Sequence, residues 1–145
     1  MELGSIKLTW TILRELNGAT LYLCNSIVGK MQFETKLSGL ASGDEAWKQS
    51  NIREWLNDEF LNKHFTDEEK DRLVKHNDTG DKVFLLSMEE YGNGGFVINA
   101  KEKWWLRPSG DSAAPPFVDS LGYANGWCFG RYLIHGIRPA ILVRD

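Results

Sequence analysis

The chain has 145 residues, 42% of them hydrophobic and 26% charged, with a formal net charge of −3, which suits one domain with a core that needs no staples. The acidic balance argues against a nucleic-acid partner, because backbone binding calls for a basic patch. No run of about eighteen apolar residues suggests membrane insertion, and no charged n-region followed by an apolar h-region is visible, so a cytoplasmic location is expected.

Residues 6–16 alternate as a strand, with Leu8, Trp10 and Ile12 on one face. Asn17-Gly18 follows, a hairpin signal because both central residues of a type I′ turn need positive φ, and residues 19–24 form the return strand. Residues 26–40 read as irregular packed chain, with a loop over 38–44. A helix is expected over 47–60, with Ser50 able to cap it and Ile52, Trp55, Leu56 and Phe60 at helical spacing on one face. Thr66-Asp67-Glu68-Glu69 is a capping-box pattern, so a short second helix over 67–74 buries Leu73 and Val74. Residues 76–81 are a polar loop and 82–87 a buried strand. Ser87 can cap a helical turn at 88–91. Residues 92–95 are loop, and 96–99 a short apolar piece.

Near the end, Trp104-Trp105-Leu106-Arg107 and Gly136-Ile137-Arg138-Pro139-Ala140 read as strands. They bracket a span with too many turn formers for regular structure. Arg107 and Arg138 each lie between apolar residues, where a guanidinium must be hydrogen-bonded to be buried. They therefore read as structural arginines that hold loop carbonyls, in preference to anion clamps. Trp55 and Trp104 read as core, like Trp10.

The span 111–135 has a different character. Tyr123, Asn125, Trp127, Phe129, Arg131, Tyr132 and His135 crowd together around Gly122, Gly126 and Gly130. Rigid amphipathic rings with adaptable polar groups are the composition of a binding face. The competing reading is that Trp127 and Phe129, alternating around Cys128, simply close the core. Cys24 and Cys128 carry no spacing code for a disulfide and read as reduced, partly buried thiols.

Taken in order, several of these segments resemble a known family. They are Trp10, Ser50-Asn51-Ile52-Arg53-Glu54-Trp55-Leu56-Asn57, Phe60-Leu61-Asn62, Phe65-Thr66-Asp67-Glu68-Glu69-Lys70 and Asp81-Lys82-Val83-Phe84-Leu85-Leu86-Ser87, together with the two Arg-bearing brackets. The family is DUF6273, a bacterial and phage domain of unknown function related to the C-type-lectin-like fold. The resemblance implies an α+β, C-type-lectin-like domain spanning residues 1–145, with a twisted antiparallel sheet, two flanking helices and long irregular loops. It also implies that the first and last strands pair.

Lectin-like domains that bind sugar through calcium use Glu-Pro-Asn or Gln-Pro-Asp with Trp-Asn-Asp, and none of these occurs here. The 77–81 loop offers too few oxygens for the six to eight that calcium takes. Formylglycine-generating relatives use a closely spaced cysteine pair, whereas Cys128 stands alone in its region. His64, His76 and His135 fall at no ligand spacing, and nothing in the sequence orients His135 towards Cys128. No metal, cofactor or catalytic residue is therefore expected. The expected function is a non-catalytic module that recognises a protein or glycan partner through residues 111–135, with Tyr123, Asn125, Trp127, Arg131, Tyr132 and His135 as contacts. Two alternatives stay open: an enzyme or enzyme remnant of the formylglycine-generating type, and a phage-encoded intracellular inhibitor or partner binder. The sequence leaves the oligomeric state open.

Overall fold

A computed structural model describes residues 8–35, 42–92, 102–111, 113–126 and 133–145. Asn17 and Gly18 both adopt positive φ, 36° and 87°. This turn joins β1 (Trp10–Leu16) to β2 (Ala19–Cys24) with Leu16 opposite Ala19. The pairing register shifts between Ile12 and Arg14. Such a bulge adds one residue and reverses the side-chain phase. Trp10 and Ile12 lie before the shift, opposite Cys24 and Tyr22, so they share a face. Ile12 is nevertheless 59% exposed, while Leu13, the extra residue of the bulge, is buried.

The first sheet is built around β10 (Ala140–Arg144). One edge of β10 pairs antiparallel with β2, and the other takes β4 (Leu73–Val74) and β5 (Val83–Phe84) end to end. The last strand thus pairs with the second strand and not with the first. Burial explains the order. Ala19, Leu21, Leu23 and Cys24 make β2 apolar enough for a central position. The exposed Arg14 and Glu15 of β1 suit an edge.

A second sheet runs in the order β3 (Gly29–Gln32), β9 (Ile134–Ile137), β6 (Trp104–Trp105), β7 (Phe117–Val118) and β8 (Ala124–Asn125). Its β6–β9 pair is parallel and the others antiparallel, so the protein is α+β with one mixed sheet. Two expectations change here. Residues 29–32 form a strand although Gly29, Lys30 and Gln32 give no apolar alternation. The span 111–135 contains the β7–β8 hairpin, because its turn formers build a turn between strands.

Between β9 and β10 the chain crosses from one sheet to the other through Arg138-Pro139. Arg138 is fully enclosed there. Its Nε donates to the Cys24 carbonyl at 3.0 Å, and its guanidinium lies 4.8 Å from the Trp104 ring centroid. Trp104 and Trp105 are both buried, and Trp105 Nε1 donates to the Met31 carbonyl at 2.8 Å.

The helix expected over 47–60 is interrupted. α1 (Gly43–Lys48) ends at Gln49, and Ser50 then starts α2 (Asn51–Trp55) by accepting from the Arg53 N–H at 3.1 Å. A π-helical turn (Leu56–Phe60) continues into α3 (Leu61–His64). Ile52, Leu56 and Phe60 are buried, whereas Trp55 is half-buried, its ring 5.6 Å from that of Phe60. In the π turn, Asn57 donates to the Val83 carbonyl at 2.8 Å and accepts from the Val83 N–H at 3.1 Å. One side-chain amide thereby closes the open edge of β5 as a neighbouring strand would.

Thr66 caps α4 (Asp67–Arg72) in a reciprocal box with Glu69. The helix stops at Arg72, so Leu73 and Val74 leave it and become β4. Replacing Thr66 by Ala is expected to cost about 1 kcal/mol, read as a shift in the urea midpoint at constant slope. A loss below about 0.3 kcal/mol would mean the cap is replaced by water at no cost. No helix among the described residues is long and apolar enough to cross a membrane.

Candidate functional site

Two neighbouring features carry chemistry, and α5 (Met88–Tyr91) belongs to both. Ser87 starts this short helix by accepting from the Glu90 N–H at 3.2 Å, and the Glu90 carboxylate returns to the Ser87 N–H at 2.9 Å. The same carboxylate accepts from Arg107 Nη1 and stands 2.6 Å from His76 Nε2. Arg107, 3% exposed, also donates to the Leu85 carbonyl at 2.7 Å. Burial alone would push the Glu90 carboxyl up. The His76 hydrogen bond, the Arg107 charge and the Ser87 N–H outweigh it and hold the group down at about 2.

His76 is itself buried, its ring 4.2 Å from that of Phe84. Its Nδ1 accepts from the Thr79 N–H at 3.2 Å, which leaves Nε2 as the protonated nitrogen that donates to Glu90. Arg107 reaches Asp78 at 3.9 Å beyond Glu90. Above it opens a cleft of about 400 Å³ lined by Asp44, Asp78, Ser87, Glu89, Arg107, Ser109 and Gly110.

His76, Asp78 and Glu90 bring ligand atoms within 4.8 Å of one another. Two features oppose a cation there. The Nε2 that would face it carries a proton fixed by the Thr79 contact, and the Arg107 guanidinium already occupies the carboxylate. Hydrogen bonds spend the network on holding α5, the 76–79 turn and the start of the 107–110 loop together.

The second feature is the β7–β8 hairpin. The Asp119 carboxylate accepts from the N–H groups of Leu121 and Tyr123, both at 3.0 Å, and from Asn125 Nδ2 at 3.2 Å. The Tyr123 N–H, then the Asn125 side chain and the N–H groups of Leu121 and Gly122, hold its carboxyl below the usual carboxylate range. Gly122 takes φ 92°, a conformation open to glycine at no steric cost. Its carbonyl accepts from the buried Tyr91 hydroxyl at 2.6 Å. The turn is tied down from inside and from below, yet it presents Leu121 at 72% and Tyr123 at 67% exposure.

The other expected contacts divide. Asn125 is half-buried and also donates to the Tyr123 carbonyl at 3.0 Å. Trp127, Arg131 and Tyr132 lie outside the described residues. His135 is enclosed, with its ring 4.4 Å from Trp105 and 4.9 Å from Phe117, and burial, then the Lys103 charge, lowers its pKa. It borders a separate groove of about 380 Å³ with Lys30, Glu102, Lys103, Ile134 and Gly136. Of the arginines, Arg107 enters the Glu90 network and Arg138 the corner between the sheets.

The family model for a domain of unknown function, DUF6273, matches residues 17–144. The chain belongs to DUF6273. No curated protein and no solved structure matches it. In this DUF6273 domain the match runs from the first hairpin turn to the end of β10, and so takes in both the Glu90 network and the β7–β8 hairpin. Sequence reasoning passed over that network. Ser87-x-x-Glu90 is a visible capping box, but nothing in the sequence brings His76 and Arg107 to the same carboxylate.

Proposed function

We propose that this DUF6273 domain is a non-catalytic binding module on a C-type-lectin-like fold, recognising a protein or glycan partner through the 111–135 segment. The observation that carries the reading is the hairpin turn, rigidly held by Asp119, Gly122 and Tyr91 while it exposes Leu121 and Tyr123. Holding apolar side chains out in water gives up burial free energy, and exposed apolar surface on a fixed scaffold is how partners are met. The lectin-like element of the reading is supported by the two sheets and by the tying of both ends of the described chain to one sheet. The non-catalytic element is supported by His76 and Glu90, whose polar atoms are already satisfied within the fold.

The test uses a printed glycan array and a displayed random-peptide library, each probed with the wild-type chain and with Tyr123→Ala. The variant is expected to lose at least tenfold in affinity for whatever the wild type binds, with the melting temperature unchanged within a degree or two, because Tyr123 leaves most of its surface in water. Unchanged binding by Tyr123→Ala and Leu121→Ala together would move the face elsewhere.

A further inference from the structure

Resting on the hairpin as the binding face, we infer that the partner is a protein presenting an apolar side chain flanked by Lys or Arg, and that α5 supplies half of the contact surface. Met88 and Tyr91 stand one helical turn apart, and both meet the hairpin. Tyr91 holds the Gly122 carbonyl, and a Cβ at Gly126 would lie 3.4 Å from Met88 Sδ. Met88 is nevertheless 38% exposed, so α5 holds an apolar side chain in solvent beside the hairpin, as the turn does Leu121 and Tyr123.

The composition of this surface favours protein over sugar. Sugar rings stack on aromatic faces but draw orientation from several free polar groups, and here the nearest ones are spent: Asp119 on the turn and Asn125 on Asp119 and Tyr123. Leu and Met, by contrast, give unoriented apolar contact, and Met adapts to differently shaped partners.

Charge supplies the rest. On the other side of α5, Ser87 and Glu89 line the cleft together with Asp44 and Asp78. Among the described residues that line it, the cation is Arg107, which is buried in the Glu90 network. The exposed charge that the described residues give the cleft is therefore negative, and it lies one short helix away from Met88. A partner whose basic side chain reaches the cleft while its apolar neighbour covers Met88 and Tyr123 matches both. Complementary charge of this kind steers encounter and weakens with salt.

The probe is the peptide library used above, selected on the wild-type chain, with the enriched peptides remade and titrated against variants. Enriched sequences should pair an aliphatic or aromatic residue with Lys or Arg. Their binding should fall about tenfold in Met88→Ala and at least as much in the charge reversals Glu89→Lys and Asp44→Lys, and it should weaken between 50 and 300 mM salt. Asp44 and Glu89 are exposed, and circular dichroism on each variant verifies folding. Acidic enriched peptides, or binding indifferent to Met88 and Glu89, would overturn the inference. If Tyr123→Ala still abolishes that indifferent binding, the hairpin face stands and only the role of α5 and the cleft falls. Binding confined to the glycan array would have the same consequence. If Tyr123→Ala and Leu121→Ala leave binding intact, the underlying face is wrong.

Discussion

Replacing Glu90 by Ala is expected to destabilise the fold by about 3–5 kcal/mol, the cost of leaving a buried charge without its partner. The orphan is Arg107, 3% exposed. The Ser87 N–H and His76 Nε2 lose an acceptor at the same time. Urea unfolding measures the loss directly. The double change Glu90→Gln with Arg107→Met should recover a good part of it, because a buried pair replaced as a unit is often near neutral. A loss in Glu90→Ala below about 1 kcal/mol would show that water reaches Arg107 and that the network is not closed.

The same carboxylate sets an acid limit. Its pKa falls from 4.5 to about 2 on folding, so the unfolded chain binds the proton first as pH drops. The contribution of Glu90 is fully present above pH 4.5 and is lost as pH falls towards 2. The difference corresponds to roughly 3 kcal/mol. Glu90→Gln should flatten the stability profile over that window; an unchanged acid slope would place the proton uptake on other carboxylates.

Arg138→Lys should be the second costly change, although it preserves charge. Arg138 is enclosed at the crossing between the sheets, with Nε on the Cys24 carbonyl and its plane near Trp104. Lysine has no group at the Nε position and no planar face to lay along the indole. About 2–4 kcal/mol of destabilisation is expected, within the range for breaking a buried, hydrogen-bonded charge. Calorimetric melting of the two proteins side by side is the test. Arg138→Lys melting within a degree of wild type would mean that the corner is held by backbone hydrogen bonds alone, such as the Cys24 N–H to the Pro139 carbonyl at 2.9 Å.

What the sequence disclosed about this fold was local. The Asn17-Gly18 turn, the Thr66 box and the Ser87 cap each need only four or so neighbouring residues, and each is where the spacing places it. Elements defined by distant partners were harder to read. Leu73 and Val74 continue an apolar helical pattern, and only β10, far along the chain, draws them into a strand. The bulge at Ile12 is a choice of register against β2, to which the alternation of β1 alone is blind. The hairpin's composition was legible, and so was its exposure to the extent that Tyr123 is a residue that tolerates water. The Glu90 network was not legible, because a carboxylate on a charged four-residue stretch reads as solvated until the fold brings His76 and Arg107 to it.

The central place of β10 bears on how the protein is made. Thr20 and Asp145, which meet at 2.7 Å at the end of the β2–β10 pair, are 125 positions apart. At about 5–20 residues per second of synthesis, the first hairpin waits on the order of ten seconds before the strand that covers it exists. Through that interval the nascent chain carries β2 with Leu21 and Leu23 uncovered and one ladder edge open, the kind of surface that recruits holdase chaperones or pairs with a neighbouring polysome product. Assembly of the first sheet therefore waits for β10, and a chain lacking residues 140–144 would have no strand to join β2 to β4 and β5.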